Sequence, residues 1–359
     1  MNAYPTDLPY PVIHEGLVTN RFDKKYRLAF QRAIHKHKNQ FDIFLLWEPW
    51  LIQDAAIYRS LGGKTPIVTY LNNYSFCTNL SLIDPDCCKS CGLREQLQHW
   101  PSNPTKKALL LPFRTLEHCV DIFMLNHIDA FIAISPAVVD IYARHNIARE
   151  KMSIIPPVID YGYLNKLRND YIQKPDLARQ YDILFVGRLT PEKGVDILID
   201  AISRLELPLR LLVVGDGPHK KKLEQFSEKV GVSDRVIFYG WLPYEAVLDL
   251  YLNSQLFVHP ARWPEPFGRT ILDAMALRIP VIAADSGGPP WILQDAGLTF
   301  KTGDTEELAQ KINLMYNDPD LTANLVTKAA ERAKDFDYAR TIPKFLDFCT
   351  TVIEAANRR

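Results

Sequence analysis

The segment His259–Leu277 reads HPARWPEPFGRTILDAMAL. It begins where an apolar run, Leu256-Phe257-Val258, stops. It then crosses a loop containing Pro260, Pro264 and Pro266, and enters a helix near Phe267 with apolar residues at Ile271, Leu272, Met275 and Ala276. A strand, a Pro-rich loop and a helix N-terminus in succession present free backbone N–H groups, which makes this a natural place for an anion in an α/β domain. Glu265 in the loop and Asp273 in the helix add two carboxylates, which accept hydrogen bonds from sugar hydroxyls. The combination predicts a nucleotide-sugar pocket. Taken alone, the segment also reads as an ordinary Pro-rich strand-to-helix loop.

Around this segment, strands and helices alternate. Asp182–Val186, Leu209–Val214, Val236–Tyr239, Leu256–His259, Val281–Ala284 and Leu298–Phe300 read as strands, with helices at 195–206, 218–230, 244–253, 267–277 and 304–316. This is the pattern of a Rossmann-like domain. Two further helices, 319–334 and 341–356, follow it. The first half repeats the alternation less regularly: helices at Phe22–Asn39, Trp50–Leu61, Thr105–Leu125 and Pro136–His145, and strands at Phe41–Leu46, Pro66–Leu71, Asp129–Ile134 and Met152–Ile155. Asp160–Gln180 is polar and reads as an irregular linker.

Gly187-Arg188-Leu189-Thr190-Pro191-Glu192-Lys193-Gly194 follows the first strand of the second half. Two cations just before a helix oppose the macrodipole, and a bound anion removes that conflict. Arg188 can pair with phosphate oxygens in bidentate fashion, and Lys193 acts as a point charge. A solvated charged loop is the plain alternative. Gly215-Asp216-Gly217-Pro218 follows the next strand, where the glycines permit a tight turn and Pro218 suits a first helical position. Tyr239 ends the third strand.

Glu265-Pro266-Phe267-Gly268 with Asp273 resembles the donor-site signature of the family 4 retaining glycosyltransferases, E-x7-E with an EPFG-like start, with Asp in place of the usual second Glu. Gly187-Arg188 with Lys193-Gly194 is similar to the same family's G-R-x(3,4)-K-G element, and Gly215-Asp216-Gly217-Pro218 also resembles it. The resemblance implies an α/β fold of GT-B architecture: two Rossmann-like domains with parallel sheets facing a cleft, and a C-terminal helix crossing back to the first domain. On that scheme residues 1–160 form an acceptor-side domain, 161–180 a linker, 181–340 a donor-binding domain and 341–359 the crossing helix. It implies transfer of a hexosyl group from a nucleoside-diphosphate sugar to a hydroxyl acceptor, with retention and without a metal ion. The acceptor could be a polysaccharide, a lipid-linked or a small molecule. Arg188, Lys193 and the helix dipole would neutralise the leaving diphosphate. Glu265 would contact the donor sugar and Asp273 the ribose. Gly187, Phe267, Gly268, Arg269, Thr270, Gly215, Gly217 and Tyr239 would surround the donor. Trp291, after Asp285-Ser286-Gly287-Gly288, stands near a position where the family usually has an acidic residue.

The first half departs from the family. It has no Gly-rich opening before Gly62-Gly63, so the resemblance implies a shortened N-terminal domain. Thr69-Tyr70-Leu71-Asn72-Asn73-Tyr74 is similar to the family's T-x-H-D-Y strand end, with Asn72 at the histidine's place. Asn72 and Asn73 can position a hydroxyl but cannot take up a proton. These departures leave a second reading: a non-catalytic subunit that binds a nucleotide-sugar or a completing protein chain.

Cys77, Cys87, Cys88 and Cys91 crowd one loop, with His118 and Cys119 further on. Cys88-x-x-Cys91 has metal-ligand spacing, and Cys77 with Cys119 or His118 would complete a structural zinc site. Free thiols packed in a loop are the other reading. Catalysis itself calls for no cofactor. Net charge is zero, which gives nucleic acid no bulk attraction. No apolar run is long enough to span a bilayer. Six cysteines without a disulfide framework point to a reducing cytoplasm. The basic residues around Arg32–Lys38 and Lys220–Lys222 leave a peripheral membrane contact open beside the solvated-face reading.

Overall fold

Runs such as Ile67-Val68-Thr69-Tyr70-Leu71 and Leu211-Leu212-Val213-Val214 are buried along their whole length. Strands of that kind belong to parallel sheets covered on both faces. In the computed structural model, residues 40–46, 52–74, 122–173 and 181–358 are described, with single positions at 32, 34, 36, 116 and 120. The first half builds a four-stranded parallel sheet, β1 (Phe44–Leu46), β2 (Ile67–Leu71), β3 (Ala130–Ala133) and β4 (Met152–Ile154), in sequence order. The second half builds a six-stranded parallel sheet from β5 (Tyr181–Val186), β6 (Leu211–Val214), β7 (Val236–Gly240), β8 (Ser254–His259), β9 (Val281–Ala284) and β10 (Leu298–Phe300). Its order is β10-β9-β8-β5-β6-β7, the doubly wound arrangement. The two sheets give the GT-B architecture that the resemblance implies.

Side-chain alternation along these strands divides the core. Ile183, Phe185, Leu211, Val213, Leu256 and Val258 pack into a layer made only of second-half residues. Leu184, Leu212, Val214 and Phe257 join a layer that also holds Leu71, Phe131, Ile132 and Tyr142 of the first half. The two halves therefore share apolar packing. Helix starts follow local chemistry: Ser135, Asp160, Asp304, Asp318 and Asp337 each accept a hydrogen bond from a first-turn N–H.

Part of the expected linker is helical. Tyr161–Ile172 forms a helix that starts at Asp160, whose carboxylate accepts from Tyr163 N–H at 2.8 Å. Leu164 is buried, and Tyr161, Leu167 and Tyr171 pack beside it. Tyr171 also donates its hydroxyl to Asn253 Oδ1 at 2.9 Å. This apolar stripe at helical spacing is thin, and the Asn, Arg and Asp residues between its members hide it in the sequence.

The last helix, Tyr338–Asn357, crosses back to the first half. A bridge between Ile159 and Asp337 precedes it, and Phe345, Phe348 and Val352 pack on the shared core layer. Cys349 on this helix is partly buried. Among the described residues no helix is long and apolar enough to cross a membrane.

Candidate active site

β5 and β8 are neighbours at the point where the order of the second sheet reverses. The crevice outside the carboxyl ends of such a pair is where open α/β sheets bind ligands. The loop after β5 runs through a short turn, Pro191–Lys193, to Gly194 and the helix Val195–Ser203. Gly194 has φ 66°, and a Cβ there would lie 2.1 Å from the Pro260 carbonyl oxygen in the loop after β8. Glycine alone suits that backbone and that approach. Arg262 joins the same two loops. Its N–H donates to the Glu192 carbonyl at 2.8 Å, and its guanidinium makes two 2.5 Å bonds to the Asp196 carboxylate.

This join brings Lys193 to Glu265, with Nζ 2.5 Å from Oε2. Trp263 Nε1 donates to the same oxygen at 2.8 Å, and Lys193 Nζ lies 5.2 Å from the Trp263 ring centre. Oε1 accepts no hydrogen bond from a described residue. His259 Nε2 is 3.6 Å from Oε2, beyond hydrogen-bond reach, and neither of its ring nitrogens has a described partner. Burial would raise the Glu265 carboxyl. The His259 ring and the Lys193 ammonium outweigh it and hold the group at about 2, against an ordinary 4.5. Glu265 is thus a buried, ionised carboxylate, with Oε2 held by Lys193 and Trp263 and Oε1 without a hydrogen-bond partner among the described residues.

Glu265 lines a cavity of about 590 Å³ whose wall includes Leu45, Tyr70 and Asn72 from the first half, Pro266, Phe267, Gly268 and Arg269 from the loop after β8, and Thr341 and Phe345 from the last helix. Asn72 Oδ1 and Thr341 Oγ1 are buried without a described hydrogen-bond partner. Gly268, at φ 110°, opens the helix Arg269–Ala276 with its N-terminus at the cavity.

Arg188 is exposed after β5; its carbonyl accepts from Thr190 N–H at 3.1 Å, and its guanidinium bonds no described residue. Asp273 is 3% exposed, outside the cavity wall, and accepts from the Tyr244 hydroxyl at 2.9 Å. Burial raises its carboxyl to about 6, against the lowering effect of Tyr244 and Arg269. Burial and Asp273 in turn push the Tyr244 phenol well up. Phe267 is packed between Trp291 and Phe336, with ring centres 6.3 and 5.8 Å away. Thr270 accepts from the Tyr251 hydroxyl through its carbonyl at 2.9 Å. Tyr239 is half exposed. Gly187, Gly215 and Gly217 let two loops nest, since a Cβ on Gly215 would lie 1.9 Å from the Gly187 carbonyl oxygen, and one on Gly217 2.4 Å from that of Leu189. Asn73 stays off the cavity wall, and its carbonyl accepts from the Tyr142 hydroxyl at 3.1 Å. Cys77, Cys87, Cys88, Cys91, His118 and Cys119 lie outside the described residues. Among the described residues no cluster of His, Cys, Asp or Glu could hold a metal ion.

Several residues that build the site carry no motif signal. Trp263 and Arg262 are ordinary loop residues in the sequence, and Asp196 an ordinary first-turn helix residue. Gly287 and Gly288 stand out only as a pair after a strand. Gly288 N–H donates to the Glu265 carbonyl at 2.7 Å, and a Cβ on Gly287 would lie 2.3 Å from that oxygen. Trp291 packs against Phe336, with the Arg332 guanidinium 5.5 Å from its ring centre. Its role is packing beneath the loop, which accounts for an aromatic residue there.

Residues 168–332 match the family model for glycosyl transferases group 1, and residues 4–162 match that for Glycosyltransferase Family 4. An alpha-D-kanosaminyltransferase of Streptomyces kanamyceticus is 31% identical over 153 residues, which is 41% of this chain and 39% of that protein. The gpi3 subunit of phosphatidylinositol N-acetylglucosaminyltransferase from Schizosaccharomyces pombe is 30% identical over 139 residues, 38% of this chain and 30% of that one. The chain thus spans well under half the length of these curated relatives. Anabaena Alr3699/HepE, solved in complex with UDP, shares the fold at a TM-score of 0.69 and 21% identity, over 90% of this chain and 82% of that one.

Proposed function

As the chain belongs to the family 4 glycosyltransferases, we propose that it moves a sugar from a nucleoside-diphosphate sugar to an acceptor hydroxyl, with retention at the anomeric carbon and without a metal ion. The observation that carries this reading is the Lys193–Glu265 contact at the sheet's switch point, beside an open helix N-terminus. An ammonium has three protons, so Lys193 can keep one on Glu265 Oε2 and offer two to phosphate oxygens. Arg188, unpaired among the described residues, and the N–H groups at Gly268 and Arg269 supply the rest of the diphosphate's neutralisation. Glu265 Oε1 accepts a hydroxyl of the transferred sugar, and Asn72 contacts sugar or acceptor from across the cleft. Charge that develops on the departing diphosphate meets groups already in place, which is the usual source of rate in such a site. The Tyr244 hydroxyl takes Asp273 Oδ1, so a ribose hydroxyl would be accepted by Oδ2.

Nucleotide-sugar binding and hydrolysis by the purified chain test the reading. A panel of UDP-, GDP- and ADP-sugars in the presence of EDTA should yield one donor that raises the melting temperature and slowly releases nucleoside diphosphate. UDP-sugars come first in the panel, because the HepE neighbour was solved with UDP. Turnover that disappears with EDTA would remove the metal-independent scheme. No binding to any donor would remove the transferase reading.

A second reading is supported by the gpi3 relative, whose name is that of a subunit. On this reading the chain binds a nucleotide-sugar and needs a partner chain for transfer. Donor binding without hydrolysis or transfer to any of a range of acceptors would favour it.

A further inference from the structure

The Glu265 loop is gripped from the opposite half of the molecule. Tyr74, just past the end of β2, donates its hydroxyl to the Pro264 carbonyl at 2.8 Å. Ser135, just past the end of β3, donates to the Pro266 carbonyl at 2.6 Å. These are the carbonyls on either side of Glu265, and neither proline has an N–H with which to hold the loop itself. The Tyr74 ring also meets the Trp263 ring edge-on at 6.1 Å, and Trp263 is the indole that donates to Glu265 Oε2. Tyr74 is 1% exposed and Ser135 fully buried, so both bonds lie away from water. Ser135 Oγ serves twice, since it also accepts from Val138 N–H at 3.3 Å as the helix cap.

We propose that Tyr74 and Ser135 are positioning residues that aim Glu265 from the first half, so that the donor-sugar contact is completed only when the two halves are closed on each other. The assignment rests on the transferase reading above. Neither residue lines the cavity, and the groups assigned to the diphosphate, Arg188, Lys193 and the helix N-terminus, all belong to the second half. Loss of the grip should therefore leave nucleotide binding intact and lower turnover, because a loop misplaced by a fraction of an ångström loses near-attack geometry before it loses affinity. It also gives the two halves a reason to communicate: closure over an acceptor fixes the carboxylate that holds the donor.

The variants are Tyr74→Phe, which keeps the ring against Trp263 and removes only the hydroxyl, and Ser135→Gly, which removes the donor while leaving a residue tolerated at a helix cap. Nucleoside diphosphate Kd, donor KM, kcat and melting temperature are measured on the full chain. The expected result is a drop in kcat of roughly ten-fold in each variant, with diphosphate Kd within about two-fold of wild type. The double variant should fall by less than the product of the two, since both act on one loop. Wild-type kcat in Tyr74→Phe overturns the assignment, as does a loss of diphosphate affinity in step with turnover. A wild-type chain that releases nucleotide from no donor overturns the transferase reading, and this assignment with it.

Discussion

At Glu265 the side chain is 13% exposed and still ionised, because Lys193 and His259 outweigh the burial penalty. The folded carboxyl titrates at about 2, below its ordinary 4.5, so the stability it contributes is complete above about pH 4.5 and is lost as pH falls through about 2. Glu265→Gln should flatten the acid limb of the urea midpoint over that window. It should also reduce transfer by about a hundred-fold or more. A variant with wild-type turnover would remove Glu265 from the chemistry. Asp273 has the opposite sign. Its folded carboxyl is raised to about 6 from 3.8, so the favourable contribution is full below about pH 3.8 and disappears as pH rises through about 6. At pH 7 the protein therefore carries an ionised carboxylate in a buried place. Asp273→Asn keeps an oxygen for the Tyr244 hydroxyl and removes that charge, and should stabilise the fold by about 1–3 kcal/mol at pH 7.5 and by far less at pH 4. Denaturation midpoints at the two pH values check it. Equal effects at both would mean that the carboxylate is not destabilising.

At the scale of elements, the site depends on how the loops after β5, β8 and β9 nest. Each contact puts a backbone where a side chain would otherwise stand: Gly194 against Pro260, and Gly287 against Glu265. Gly194→Ala meets both a left-handed φ and a carbonyl oxygen 2.1 Å from the new methyl. It should cost about 2–4 kcal/mol in urea unfolding and lower diphosphate affinity, since Lys193 is the next residue. Gly231→Ala is the control. Its φ is also positive, at 74°, but a Cβ there meets nothing within 4 Å, so it should cost about 1 kcal/mol and leave affinity unchanged. Equal losses in the two variants would show that backbone strain alone, and not the contact between loops, sets the cost at Gly194.

Across the whole molecule, one apolar layer runs from β2 and β3 of the first half into the helices Tyr244–Leu252 and Arg269–Ala276 of the second. Phe345 and Phe348 of the last helix pack on that layer too. Shared packing of this kind couples the halves, so calorimetry should show a single main transition. A nucleoside diphosphate at about 100 times its Kd should move that whole transition, contributing about 2.7 kcal/mol by mass action. Two transitions, of which the ligand moves only one, would mean that the halves unfold independently.

The sequence by itself determined the two α/β halves and the strands of the second sheet nearly to the residue, and it singled out Glu265, Lys193 and Arg188 as candidates. Apolar runs fully buried in parallel strands and loops rich in Gly and Pro are local signals, legible without knowing what they pack against. The helix Tyr161–Ile172 was not legible, because its apolar stripe has meaning only beside Asn253 and the shared core. Nor was the pairing of Lys193 with Glu265, which are 72 residues apart. Only the tertiary structure brought them together, through the adjacency of β5 and β8, and only it turned Tyr74, Ser135 and Trp263 towards the same loop. The sequence carries the type of each group. Burial raises both the Glu265 and the Asp273 carboxyl, and only at Glu265 do the neighbours outweigh it; that balance belongs to the fold, because it depends on neighbours that the chain order does not name.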